Sequence, residues 1–119
     1  MQPEAPKLLE DIRDAAAFIV DVTRGIAQDE YTRNRMLRQS VERNFEIIGE
    51  AIRRLAQRDP ATAPRITGYA QIIAFRNLLI HGYDLVDHRV VWEVIQRDVP
   101  VLLAEVVALL AADSGVDGA

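Results

Sequence analysis

Apolar residues recur along most of this chain at steps of three and four, the spacing that places them on one face of an α-helix. Leu8, Ile12, Ala15, Ile19, Val22 and Ile26 form the first such stripe, widened by Leu9, Ala16 and Val20. They predict a helix from about Lys7 to Ile26, with Pro6 at a tolerated starting position and Gly25 weakening the end. A second stripe, Leu37, Val41, Phe45, Ile48, Ile52 and Leu55, predicts a helix. It begins between Asp29 and Arg33 and stops before Pro60, because proline disfavours helical geometry in the residue preceding it. Asn44 and Glu50 flank this stripe, so the helix should lie along a partner rather than at the centre of a bundle.

A linker is expected over Asp59 to Gly68, with Pro60 and Pro64. The following helix, Tyr69 to His81, is apolar on several sides, with Ile72, Ile73, Phe75, Leu78, Leu79 and Ile80. Gly82 is placed to end it in a left-handed conformation. The last helix is expected over Asp87 to Ala111, capped by Asp87, buried through Val90, Val91, Val94, Ile95, Leu102, Val106 and Leu109, and kinked or divided at Pro100. Its valines would also suit a strand, but the spacing and the Glu, Gln, Leu and Ala content favour helix. Asp113 to Ala119 reads as a frayed tail. The fold expected is all-α, an up-and-down bundle of four to five helices in a single domain over 1–119, ordered over about 7–112.

Composition narrows the function. With 119 residues, half of them hydrophobic, the chain is one small domain whose apolar faces exceed what a comfortable monomer buries, so at least a dimer is expected. No apolar run reaches the length of a bilayer span, and the N-terminus is not that of an ordinary secretory signal. The chain has no cysteine, which removes disulfides and thiolate metal sites and suits the cytoplasm. A net charge of -4 does not recommend a nucleic-acid binder in bulk, so any contact with RNA must be local. Arginines cluster at Arg33, Arg35, Arg38 and Arg43, and again at Arg53, Arg54 and Arg58; their plain reading is solvated helix surface.

No glycine-rich phosphate loop or HExxH pair is present. The two histidines, His81 and His88, lie near Asp84 and Asp87, but their spacing gives no reason to expect a metal, and no cofactor is expected. The segment that stands out is Arg76-Asn77-Leu78-Leu79-Ile80-His81-Gly82-Tyr83. An unpaired arginine in so apolar a stretch is costly to bury. Either an acid such as Glu50 pairs with Arg76, or this face lines a cleft or a subunit interface. An internal ion pair with a capping histidine is the bland alternative. Asn77 and His81 share a helix face, whereas Arg76 and His81, five apart, diverge.

That segment, Arg-x4-His-x-Tyr, resembles the signature of the HepT-like toxins, HEPN-domain members of the HepT/MNT toxin–antitoxin systems, also called DUF86. The likeness extends to AAAFIVDVTRGI (15–26, opening at Ala15), SVERNFEIIGEAIRRL (40–55), IIAFRNLLIHGYDLVD (72–87) and VWEVIQRDVPVLL (91–103), four blocks in order. Asp84 stands where an aromatic is frequent, and Tyr69 near where a tryptophan is often found. The resemblance implies a HEPN-like bundle forming a homodimer, with two Arg76/His81 sets facing each other across a cleft. It implies a metal-independent endoribonuclease of a type VII-like system. It also implies a neighbour-encoded minimal nucleotidyltransferase antitoxin that transfers AMP from ATP to the motif tyrosine, here Tyr83.

The expected chemistry follows from the residue types. RNA carries its own nucleophile, the 2′-hydroxyl. Cleavage needs a group titrating near neutrality, for which His81 is the candidate, and positive charge on the phosphate, for which Arg76 is. Asn77 would orient His81 or the phosphate, and Tyr83 would bring a hydroxyl to the scissile group. A non-catalytic module that docks the nucleotidyltransferase and is modified by it is the competing expectation.

Overall fold

A computed structural model describes residues 1–114, and its element order is α1 (Ala5–Thr23), α2 (Gln28–Arg33), α3 (Arg35–Arg58), α4 (Tyr69–His81) and α5 (His88–Ser114), with single 3-10 turns at Ala63–Arg65 and Tyr83–Leu85. No strand occurs among the described residues, so the expected all-α class holds and the valine-rich last segment is helix. The extents are 46 × 30 × 19 Å. The short dimension is about two helix diameters, so the protein is a two-layered slab. α1 packs on α3 and α5, and α4 packs on α3.

The core comes from the predicted stripes, rotated slightly. On α1 the fully buried line is Ala5, Leu9, Ile12, Ala16 and Ile19, while Leu8 and Val22 are only partly buried. On α3 it is Val41, Phe45, Ile48, Ile52 and Leu55, as the spacing predicts. On α5 it is Val91, Ile95, Val99, Leu102, Val106 and Leu109, and Val90 lies outside it.

Four boundaries differ from expectation. α1 ends at Thr23 rather than Ile26, and Gly25 turns the chain at φ 77°, a conformation costly for other residues. The second predicted helix is two. The chain breaks at Asn34 (φ -101°, ψ 95°), whose side chain accepts a 3.0 Å hydrogen bond from the Leu37 amide and so caps α3. α2 is anchored by Tyr31, fully buried with its ring 5.5 Å from that of Trp92. Gly82 is not left-handed but sits at φ -122°. A side chain there would meet the Leu78 Cδ1 at 2.9 Å, the tip of an exposed leucine that can turn aside. α5 is not divided at Pro100. The carbonyl that Pro100 leaves without a donor belongs to Gln96, and both residues are on the exposed side, where water serves it. Asp87 does cap α5, its carboxylate accepting from the Arg89 amide at 2.9 Å. Asp113 and Ser114 continue the helix, and the rest of the predicted tail lies outside the described residues.

α4 departs most from the ordinary amphipathic pattern. Of its thirteen residues only Leu79 is buried, although most are apolar. Leu78 and Ile80 are more than a third exposed, and Leu85, just beyond, is 75% exposed.

Candidate active site

Arg76 is brought to α3 by a glycine. A side chain at Gly49 would place its Cβ 2.2 Å from Arg76 Cβ, so α4 lies against α3 only because position 49 has none. A glycine inside a helix of otherwise good helix formers costs about 1 kcal/mol relative to alanine, and that irregularity is the signal by which sequence reasoning would find the contact. The next residue, Glu50, is the expected acid: its Oε2 lies 3.3 Å from Arg76 Nη2. Arg76 Nη1 donates to Asn77 Oδ1 at 3.0 Å, and Arg76 Nε is buried without a partner. The guanidinium is therefore held at two corners, with its Nε donor buried and unpaired.

Glu50 holds more than Arg76. Arg53 donates to it through Nε and Nη2 at 3.0 and 2.7 Å, and Arg54 through Nε at 3.0 Å. These bonds, Arg53 first, hold the carboxyl down at about 2. Two arginines read from the sequence as solvated surface thus belong to the surroundings of Arg76. Arg54, Arg76 and Glu50, together with Asp11, Arg43, Glu46 and Ile80, border a cleft of about 230 Å³ between α1, α3 and α4.

The structure brings Arg76, Asn77 and Glu50 together. It does not add His81 or Tyr83 to the Arg76 cleft. His81 ends α4 and is exposed, and on the helix it diverges from Arg76 by ~140°. Tyr83 opens the following turn and is half-exposed. Among the described residues no group of three or more His, Asp or Glu is arranged to hold a metal ion, and no helix is long and apolar enough to cross a membrane.

A second polar cluster was not anticipated. Tyr31 from α2, Arg38 and Glu42 from α3 and His88 from α5 meet in the interior, with His88 Nδ1 3.8 Å from Glu42 Oε2. Each has a buried polar atom without a hydrogen-bond partner in the protein. Burial raises the Glu42 carboxyl and lowers the His88 imidazole, the latter helped by the Arg38 charge. Burial thus favours the neutral form of both partners and works against an ion pair between them. Polar residues spaced within apolar stripes carry no mark of their partners, so this cluster is legible only in three dimensions.

The sequence that carries Arg76, His81 and Tyr83 has counterparts among known proteins. The model of the family described as "Ribonuclease HepT-like" matches residues 12–109. The chain belongs to the HepT-like ribonuclease family. A Methanocaldococcus jannaschii protein named Putative RNase is 34% identical over 98 residues, covering 82% of this chain and 89% of that one. The Probable ribonuclease HepT of Thermococcus cleftensis is 34% identical over 94 residues, covering 79% and 84%. A Putative RNase of Caldanaerobacter subterraneus subsp. tengcongensis is 29% identical over 102 residues, covering 86% and 90%. No solved structure matches. The match spans α1 to α5, and all of Gly49, Glu50, Arg76, Asn77, His81 and Tyr83 fall within it.

Proposed function

We propose that the protein is a metal-independent endoribonuclease toxin, active as a homodimer and silenced when a nucleotidyltransferase antitoxin transfers AMP to Tyr83. The observation that carries the reading is Arg76, a guanidinium steadied by Glu50 and Asn77 with its Nε unpaired, on the helix that ends in an exposed histidine. Membership of a ribonuclease family supplies the substrate class.

His81 takes the proton of the RNA 2′-hydroxyl. The 2′-oxygen attacks the adjoining phosphorus, the bond to the 5′-oxygen breaks, and that oxygen takes a proton from water as it leaves. The products are a 2′,3′-cyclic phosphate and a 5′-hydroxyl. Arg76 stabilises the charge that gathers on the phosphate. The nucleophile, the base and the counter-charge are all supplied by RNA and side chains, so the step is complete without a metal. Because Arg76 and His81 point apart on one chain, the site is completed by the second copy, whose α4 covers the apolar surface of Leu78, Ile80 and Leu85. In silencing, the Tyr83 hydroxyl attacks the α-phosphorus of ATP, pyrophosphate leaves, and the added phosphodiester competes for Arg76 by charge and bulk.

One observation favours a second reading: the Arg76 cleft of a single chain excludes His81 and Tyr83. A protein that never completed the site would be a docking module modified by its partner without cutting RNA. Total RNA incubated with the protein in chelator separates the two. Fragments bearing cyclic phosphate ends that disappear with His81→Ala support the nuclease. Intact RNA together with stable binding of the nucleotidyltransferase supports the module.

A further inference from the structure

α3 is the basic element of an acidic protein. It carries six arginines against three glutamates, in a chain of net charge -4. Three guanidiniums, Arg53, Arg54 and Arg76, meet on the single carboxylate of Glu50, all within 3.3 Å. The other carboxylates of the cleft, Asp11 and Glu46, are paired with Lys7 and Arg43, so one carboxylate among three guanidiniums leaves a local excess of positive charge. The donors are not exhausted either. A guanidinium has five N–H groups, and the side chains of Arg53 and Arg54 remain 41% and 60% exposed. The cleft that Arg54 and Arg76 border opens beside them.

A carboxylate and a phosphodiester present guanidinium with the same thing, a delocalised negative charge on paired oxygens. We propose that Arg53 and Arg54 form a second phosphate subsite, adjoining Arg76, and that Glu50 occupies it as an internal anion until an RNA backbone phosphate displaces it. The proposal rests on the ribonuclease reading of Arg76 and adds to it where the neighbouring phosphate is held. Glu50 has two consequences in this arrangement. It keeps the three side chains extended toward one point in the free protein, so little rotamer freedom is lost on binding. It also sets a threshold, because only a ligand carrying more charge than one carboxylate, such as two successive phosphates, displaces it with gain. The depressed pKa of Glu50 has the same origin: the field at this point favours an anion, Arg53 contributing most.

The test uses the full chain and a fluorescent, uniformly 2′-O-methylated oligoribonucleotide, which cannot supply the attacking hydroxyl. Affinity is read by anisotropy across a salt series, with cleavage of unmodified RNA followed in parallel. Glu50→Gln removes the competing charge at nearly constant size and should tighten binding about tenfold. Arg53→Gln with Arg54→Gln should weaken binding and reduce the slope of log affinity against log salt by roughly 1.4, two contacts on a single strand. Thermal melting of each variant checks the fold, and the exposure of both arginines makes the double variant safe. Wild type that cuts RNA while neither change moves affinity or salt slope overturns the subsite and leaves the ribonuclease reading standing. Wild type that neither binds the oligonucleotide nor cuts RNA overturns both.

Discussion

At the scale of residues, the molecule depends on a few positions where size or charge is finely matched. Gly49 is one. Gly49→Ala adds a methyl group where Arg76 Cβ already stands, so α4 must move off α3. The expected loss is about 1–3 kcal/mol, typical of overpacking, and it should show in urea denaturation together with a fall in RNA cleavage. The buried cluster around Glu42 gives a second case, with the sign set by proton linkage. The raised Glu42 carboxyl means that the folded protein binds a proton more tightly than the unfolded chain. Stability from this group is therefore lost as pH rises from the ordinary carboxylate range through the raised value. Glu42→Gln should raise the melting temperature at pH 7, by about 1 kcal/mol of stability, and the gain should shrink on acidification. A melting temperature lowered at pH 7 would show that Arg38 pairs with the ionised carboxylate after all. His88 acts in the other direction of pH. Its lowered pKa, from burial first and Arg38 second, makes the unfolded chain the better proton binder, so stability falls as pH drops below about 6.5. His88→Gln should flatten that part of the melting profile.

At the scale of elements, two helices carry faults that their surroundings absorb. α5 passes through Pro100 without dividing because the freed carbonyl and the proline ring are on the solvent side, while Val99 and Leu102 beside it stay buried. Proline in a helix interior costs about 3 kcal/mol relative to alanine, and only part of that is recovered by hydration. Pro100→Ala should accordingly stabilise the protein by about 1–2 kcal/mol, measured by urea denaturation. α4 has the opposite character: it is regular, and about half of its residues are left exposed by its own chain. Its single close neighbour is α3. That isolation lets a short helix present Arg76 to one side and His81 to the other.

At the scale of the whole molecule, a slab 19 Å thick leaves a large surface for its volume. Four of the exposed large apolar residues, Leu78, Ile80, Tyr83 and Leu85, follow one another on α4 and the turn after it. Sedimentation at micromolar concentration should give twice the chain mass. Leu78→Glu, on an exposed position, should yield a folded monomer that has lost RNA cleavage. A wild-type protein that remains monomeric would remove both the dimer and the composite site.

Much of this was readable in order along the chain. The helix class, the buried lines of α3 and α5, the Asp87 cap and the Arg76–Glu50 pair follow from periodicity, capping chemistry and the cost of burying an unpaired charge, all of which act locally or through strong rules. Four sequence blocks in order, the Arg76 to Tyr83 motif among them, carried the family resemblance. The break at Asn34 was not readable, because an asparagine within a polar stretch serves equally well on a helix surface and at its start. Gly82 was expected to be left-handed, but its φ is -122°. The sharing of Glu50 by three arginines, the seat of Arg76 on Gly49 and the meeting of Tyr31, Arg38, Glu42 and His88 were decided only by tertiary structure. Sequence spacing determines which residues share a face of one helix, but the partner of each face depends on how helices distant in the chain lie against one another.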